Sequence, residues 1–242
     1  GCAGSVGAST VALVIAAAAA GGVGTARVVE CCPAAASGLA AAATVELAVD
    51  AAGWRRGGRD GVLIDRSVTA ATDVAEVAVP ATGSDDVRAC VVDVGWPLQQ
   101  VRAAGTWLST AVSDASAVVV VAAATVPGMR RLESTLAGLA LPTDGVHGPR
   151  PAVLAAVVGP VRARWPGPVT GAAGAQLRAL ERAGRLFTVP HDRGLAVRGL
   201  DEQPLPDAVL QAGTDLWALI SGSRPTPTPR SAVGSSSRRR HR

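Results

Sequence analysis

Three uninterrupted apolar runs constrain this chain more than any other feature. Residues 89–94 read ACVVDV, residues 117–122 read AVVVVA and residues 152–158 read AVLAAVV. A strand with one face in water alternates apolar and polar side chains. These runs do not alternate, so they predict strands covered on both faces, the signature of a parallel sheet sandwiched between helices. Residues 26–31 (ARVVEC), 61–64 (GVLI) and 186–189 (LFTV) are shorter runs of the same kind. Helical patterns fall between them, over 8–20, 97–112, 127–139, 170–183 and 207–220. Pro97 and Pro127 sit in first-turn positions, and Gly184 follows the fourth helix as a stop. Strand–helix alternation with short connections predicts a doubly wound, mainly parallel α/β sheet flanked by helices.

Composition narrows the chemistry. The 242 residues include five Trp, one Phe and no Tyr, so the core is built from Ala, Val, Leu and Gly. All 23 basic residues are arginine. The Ala, Arg and Gly bias is that of a GC-rich genome, and its consequence is that no lysine chemistry is available. The formal charge is +4, but residues 221–242 hold six arginines and no acid, which leaves the body mildly acidic and argues against a basic nucleic-acid-binding face on the fold. Cys2, Cys31, Cys32 and Cys90 form neither a C-x-x-C pair nor a zinc spacing, and are expected to be buried free thiols. Residues 11–20 form an apolar run with no basic residue ahead of it, the first being Arg27. It is about half the ~20 residues a membrane span requires, and is expected to be a buried helix, with no transmembrane segment. The expected organisation is a domain over 1–220 and a disordered Ser/Pro/Arg-rich basic tail over 221–242.

The chain opens Gly1-Cys2-Ala3-Gly4-Ser5-Val6-Gly7-Ala8-Ser9-Thr10, directly before the first helix. Small residues let backbone N–H groups close around a phosphate, and the helix N-terminus adds a favourable dipole. A loop of this kind follows a strand, so a first strand is expected ahead of it and is missing from the sequence. The loop resembles that of the MinD/ParA group of P-loop ATPases, whose pattern runs Lys-Gly-Gly-Val-Gly-Lys-Thr-Thr. Gly4, Val6 and Gly7 match it. Ala3 and Ala8 stand at the two lysine positions, Ser5 at the second glycine, and Ser9 and Thr10 at the two threonines. A lysine-less loop of this form is similar to the CpaE/TadZ-like branch, including septum-site-determining-type proteins of actinobacteria.

The resemblance extends along most of the chain. Val28-Val29-Glu30-Cys31-Cys32-Pro33 resembles the family's Asp-x-Asp-Pro strand end, with Cys32 where active relatives carry the acid that orients the attacking water. Val91-Val92-Asp93-Val94-Gly95 resembles the strand whose Asp lies near Mg²⁺ and the γ-phosphate. Residues 114–128, with their Val118–Val121 run and Thr125-Val126-Pro127, resemble a further strand and helix. Val189-Pro190-His191-Asp192 resembles a late loop near the adenine, although Gly159-Pro160 stand where the preceding strand of the family ends in Asn. The resemblance implies a P-loop fold of the SIMIBI/MinD type. It implies an ATP site made by Gly4, Ser5, Val6, Gly7, Ala8, Ser9, Thr10, Asp93, Pro190 and Asp192, with Mg²⁺ on Ser9 and Asp93.

Phosphoryl transfer depends on positioning and on neutralising phosphate charge. Without both lysines and the water-orienting acid, weak or absent hydrolysis is expected, with no catalytic residue assigned. The implied role is a nucleotide-responsive or purely structural positioning factor for septation, partitioning, conjugation or secretion. Two alternatives stand beside it: a slow ATPase completed by an arginine from a dimer partner, and a partner-binding module that keeps only the fold. Protein partners and a homodimer are expected, in the cytoplasm or peripherally at membrane or nucleoid. Arg238, Arg239, Arg240 and Arg242 could hold DNA or anionic lipid non-specifically. The Arg-rich stretches Trp54–Arg59 and Arg162–Trp165 read as solvated loops and weaker DNA candidates, Cys31-Cys32 as small hydrophobes, and Gly21–Gly24 as a turn.

Overall fold

The computed structural model describes residues 6–81, 86–141 and 150–222. The chain runs α1 (Ala8–Val23), β1 (Ala26–Cys31), β2 (Val45–Val49), β3 (Trp54–Arg59), β4 (Val62–Ser67), β5 (Ala89–Val94), α2 (Leu98–Ala104) and α3 (Trp107–Asp114). It continues through β6 (Ala117–Ala123), α4 (Val126–Ala140), β7 (Ala152–Val158), α5 (Gly167–Gly171), α6 (Ala175–Arg182), β8 (Leu186–Val189), α7 (Arg193–Arg198) and α8 (Asp207–Ile220). The fold is α/β, and its strands form two sheets rather than the single sheet expected. One has the order β2-β3-β4-β1-β5 and the other β6-β7-β8. β1 pairs in parallel with β4 and β5, and β7 pairs in parallel with β6 and β8. β2, β3 and β4 run antiparallel in sequence, so the first sheet is mixed.

The antiparallel arm corrects the reading of Trp54–Arg59 as a basic loop. The turn after it is Asp60-Gly61, with φ of 48° and 79°. Two successive residues at positive φ make the tight hairpin turn whose twist matches paired strands, and Arg59 pairs opposite Val62. The arginines of β3 are largely engaged within the fold. Arg56 donates to Asp65 through Nε (2.7 Å) and Nη2 (2.8 Å). Arg59 is buried and donates to the carbonyls of Ala42, Asp201 and Gln203. On the opposite side of Asp65, buried Arg27 of β1 donates its Nε at 2.7 Å, and its Nη1 reaches the Ala81 carbonyl. Arg162 likewise lies over the Trp165 ring and pairs with Glu181.

Layers follow from the pattern of burial. α1 is apolar almost all round, and Val11 through Ala16 are buried. It shares one core with α8, one face of β1 and β4, and Val121, Leu154, Ala156 and Val189 of the second sheet. The opposite face of the first sheet is covered by α2 and α3 with Trp54 and Trp96. That of the second is covered by α4, α5 and α6. Gly213 of α8 lies so close to α1 that a Cβ there would stand 2.5 Å from the Val14 carbonyl oxygen. Gly213→Ala is therefore expected to push the helices apart and lower stability by about 1–3 kcal/mol, seen as a lower urea midpoint at unchanged m.

Two predicted helices are divided. The stretch 97–112 breaks at Gly105, in the left-handed region at φ 59°, and restarts after Thr106. The stretch 170–183 becomes α5 and α6, the second starting after Gly174, where the Glu133 carboxylate of α4 accepts from the N–H groups of Gln176 and Leu177. Gly21–Val23 extend α1 instead of forming a turn, and Gly24 (φ 99°) redirects the chain. No helix among the described residues is long and apolar enough to cross a membrane.

Candidate functional site

The carboxyl ends of β1 and β5 meet the start of α1. Gly7 is the residue before that helix, at φ 84° and ψ 21°, a conformation that L side chains rarely adopt. A Cβ on it would also lie 3.2 Å from Val158 at the carboxyl end of β7. Ala8, Ser9 and Thr10 form the first turn, whose N–H groups have no partner within the helix. Val6 and Ala8 pack on the core that α1 shares with both sheets. The expected loop positions Gly4 and Ser5 lie outside the described residues, as do Ala3, Cys2 and the tail arginines.

Asp93 faces this turn. It stands opposite Glu30 in the β1–β5 register, is 5% exposed, and its Oδ2 has no hydrogen-bond partner among the described residues. Burial raises its carboxyl above the usual carboxylate range. The Ser9 hydroxyl, by hydrogen bonding, opposes that rise, and the charge of Glu30 adds to it. Glu30 itself is fully engaged. Its carboxylate accepts from the Ser37 hydroxyl (2.9 Å) and from the N–H groups of Gly38 (2.8 Å) and Leu39 (2.9 Å). It thereby pins residues 37–39 over the first turn of α1, where a Cβ on Gly38 would lie 2.5 Å from the Ser9 Oγ.

Cys31 and Cys32 end β1. Burial, followed by the charge of Asp93, pushes the Cys31 thiol up; burial, followed by the charge of Glu30, does the same to Cys32. Both are held as neutral thiols, which suits small apolar groups. Cys90, expected to be buried, is exposed on β5. Among the described residues no cluster of three or more His, Cys, Asp or Glu is placed to hold a metal ion.

Pro190 and Asp192 follow β8, in the second sheet. The Asp192 carboxylate accepts from the Leu195 N–H at 2.8 Å and caps α7. The structure therefore brings Ser9 and Asp93 together at one turn, with Thr10 beside them, and employs Asp192 as a helix cap. Glu30 is the member of the site that the sequence did not disclose. Its acidic character at a strand end was visible, but its loop contacts depend on the path of residues 34–39.

No protein-family model matches the chain, and no curated protein is significantly similar to it.

Proposed function

We propose that this protein binds a nucleotide as a MinD/ParA-like P-loop protein of the lysine-less kind and turns it over slowly or not at all. The observation that carries the reading is the buried Asp93 oxygen, without a partner among the described residues, set beside Ser9 at the amino-terminal turn of a 16-residue helix. A helix N-terminus favours anions, yet an orphaned carboxylate there repels a phosphate. A divalent cation between them reconciles the two. Mg²⁺ takes oxygen ligands and is commonly held by one or two protein groups plus substrate phosphates, which suits Ser9 Oγ and Asp93 Oδ2. The cation would neutralise phosphate charge that no lysine is present to meet.

Hydrolysis is disfavoured by the residues themselves. The position that would orient water is Cys32, whose thiol stays protonated and cannot accept a hydrogen bond as a carboxylate does. A protein of this kind acts as a nucleotide-responsive positioning factor, and its partners are proteins that read the liganded state.

Calorimetric titration with ATP and Mg²⁺ tests the reading. The wild-type chain should give saturable heat that EDTA abolishes. Ser9→Ala should weaken binding at least tenfold, about 1.4 kcal/mol. No heat from the wild type would refute it. Phosphate release should stay at background, and a rate that Asp93→Ala abolishes would favour a slow ATPase instead.

A further inference from the structure

The segment between β1 and β2 crosses the first turn of α1 at the Ser9 side chain. A Cβ on Gly38 would stand 2.5 Å from the Ser9 Oγ and 2.7 Å from its Cβ. Any side chain at residue 38 must therefore displace either the segment or the hydroxyl. Glycine lets the backbone rest directly on the group proposed to meet the cation, a close approach that other residues do not allow.

One carboxylate clasps this segment to the sheet. Glu30 Oε1 accepts from the N–H groups of Gly38 and Leu39, and Oε2 accepts from the Ser37 hydroxyl. Glu30 is 6% exposed, so these bonds are made away from water, where they are electrostatically stronger. The two ends of the segment differ. Leu39 is fully buried in the core that α1 shares with both sheets. Beyond it, Arg59 donates to the Ala42 carbonyl and the Thr44 N–H donates to the Gly58 carbonyl. That end is fixed in the core and the antiparallel arm. The other end is a short turn closed by the Ala36 N–H on the Pro33 carbonyl, with Ala35, Ala36 and Ser37 exposed. Such a segment can lift at Gly38 while Leu39 stays seated.

Glu30 stands opposite Asp93 in the β1–β5 register, but its two oxygens already accept three hydrogen bonds from residues 37–39. It is committed to the segment and not offered to a cation. We infer that residues 37–39 form a strap over the ligand held by Ser9 and Asp93, and that Glu30 and Gly38 are positioning residues that set how slowly that ligand exchanges. This role rests on the nucleotide reading and adds the element that controls entry and exit. A cover that must lift in both directions slows both rates, so opening it changes kinetics more than affinity.

Stopped-flow binding of a fluorescent ATP analogue with Mg²⁺ tests the strap, together with amide exchange of residues 37–39 without nucleotide. Glu30→Ala removes the clasp. It should speed association, dissociation and exchange at Gly38 and Leu39, each by about tenfold or more. Glu30→Gln keeps an oxygen for the two N–H groups and an amide N–H for the Ser37 hydroxyl, so it should reverse most of these changes. Gly38→Ala keeps Glu30 but lifts the strap from Ser9, and should speed dissociation as Glu30→Ala does. It decides the matter if Glu30→Ala does not fold. Glu30→Gln behaving like Glu30→Ala assigns the effect to charge and overturns the strap. Dissociation at the wild-type rate in Gly38→Ala overturns it too. Both outcomes leave the nucleotide reading standing. A wild type that binds no analogue refutes that reading, and the strap's role with it.

Discussion

Asp65→Ala is expected to destabilise the chain by about 3–5 kcal/mol, the cost of removing one partner from a buried ion pair. Asp65 is fully buried and lies between Arg27 and Arg56, which both hydrogen-bond to it. Removing it leaves the Arg27 guanidinium, only 4% exposed, with the Ala81 carbonyl and without the carboxylate it pairs with. Against a total stability of about 5–15 kcal/mol, that is a large fraction, and thermal unfolding should move down by more than about 6 °C. Replacing the fully buried pair with apolar residues, Arg27→Met with Asp65→Leu, should recover much of the loss, because the uncompensated buried charge goes with its partner while the Arg56 side chain, 30% exposed, keeps access to water. Burial raises the Asp65 carboxyl, but the hydrogen bonds and charges of Arg56 and Arg27 outweigh it and hold it below its usual range. The unfolded carboxyl titrates near about 3.9. The stability that Asp65 contributes is therefore present above that pH and is lost as pH falls through the lower folded value. Acid unfolding of the wild type should steepen there, and the double variant should lack that slope.

Asp93→Asn is expected to do the opposite to stability while abolishing Mg²⁺-dependent nucleotide binding. An ionised buried carboxylate with one orphaned oxygen costs about 1–3 kcal/mol. Neutralising it should raise the thermal midpoint by about 2–4 °C for each kcal/mol recovered in a domain of this size. The sign with pH is the reverse of that at Asp65. Because the folded carboxyl is raised, the wild type loses stability as pH climbs from the unfolded value of about 3.9 to the higher folded one, and is level above it. The Asn variant should show no such decline, so the two melting curves should separate as pH rises and stay apart at neutral pH. A residue kept for folding would not improve stability when neutralised. A gain in midpoint with loss of ligand is the pattern of a group retained for binding, and a fall in midpoint would overturn that assignment.

Most of the parallel framework was legible in the sequence because its strands are buried on both sides. β1, β5, β7 and β8 fall where continuous apolar runs place them, and β6 is longer by one residue. The antiparallel arm escaped because its strands lack that signature. β2 is exposed along its whole length and β3 reads Trp-Arg-Arg-Gly-Gly-Arg. The informative residues were Asp60-Gly61 between two extended segments, a turn signal rather than a hydrophobic one. Helix breaks at Gly105 and Gly174 were hidden because the apolar spacing continues across them. At the site, Ser9 and Asp93 could be paired through their motifs. The roles of Glu30 and Asp192 could not, since each is defined by backbone N–H groups that only the folded path brings within reach.

α1 has a further consequence. It is the wall shared by both sheets, and a helix apolar on nearly every side has no stable place in water. Its seat and its first turn belong to one rigid body, so the strength with which Ser9 and its neighbours hold a ligand is transmitted along the helix to both sheets. Any ligand bound there stabilises the native state by mass action in proportion to its concentration over its dissociation constant. Here that gain should appear as one cooperative transition moving upward, with amides of β4 and β7 protected together. The helix thus converts occupancy at one end of the fold into the cohesion of the whole.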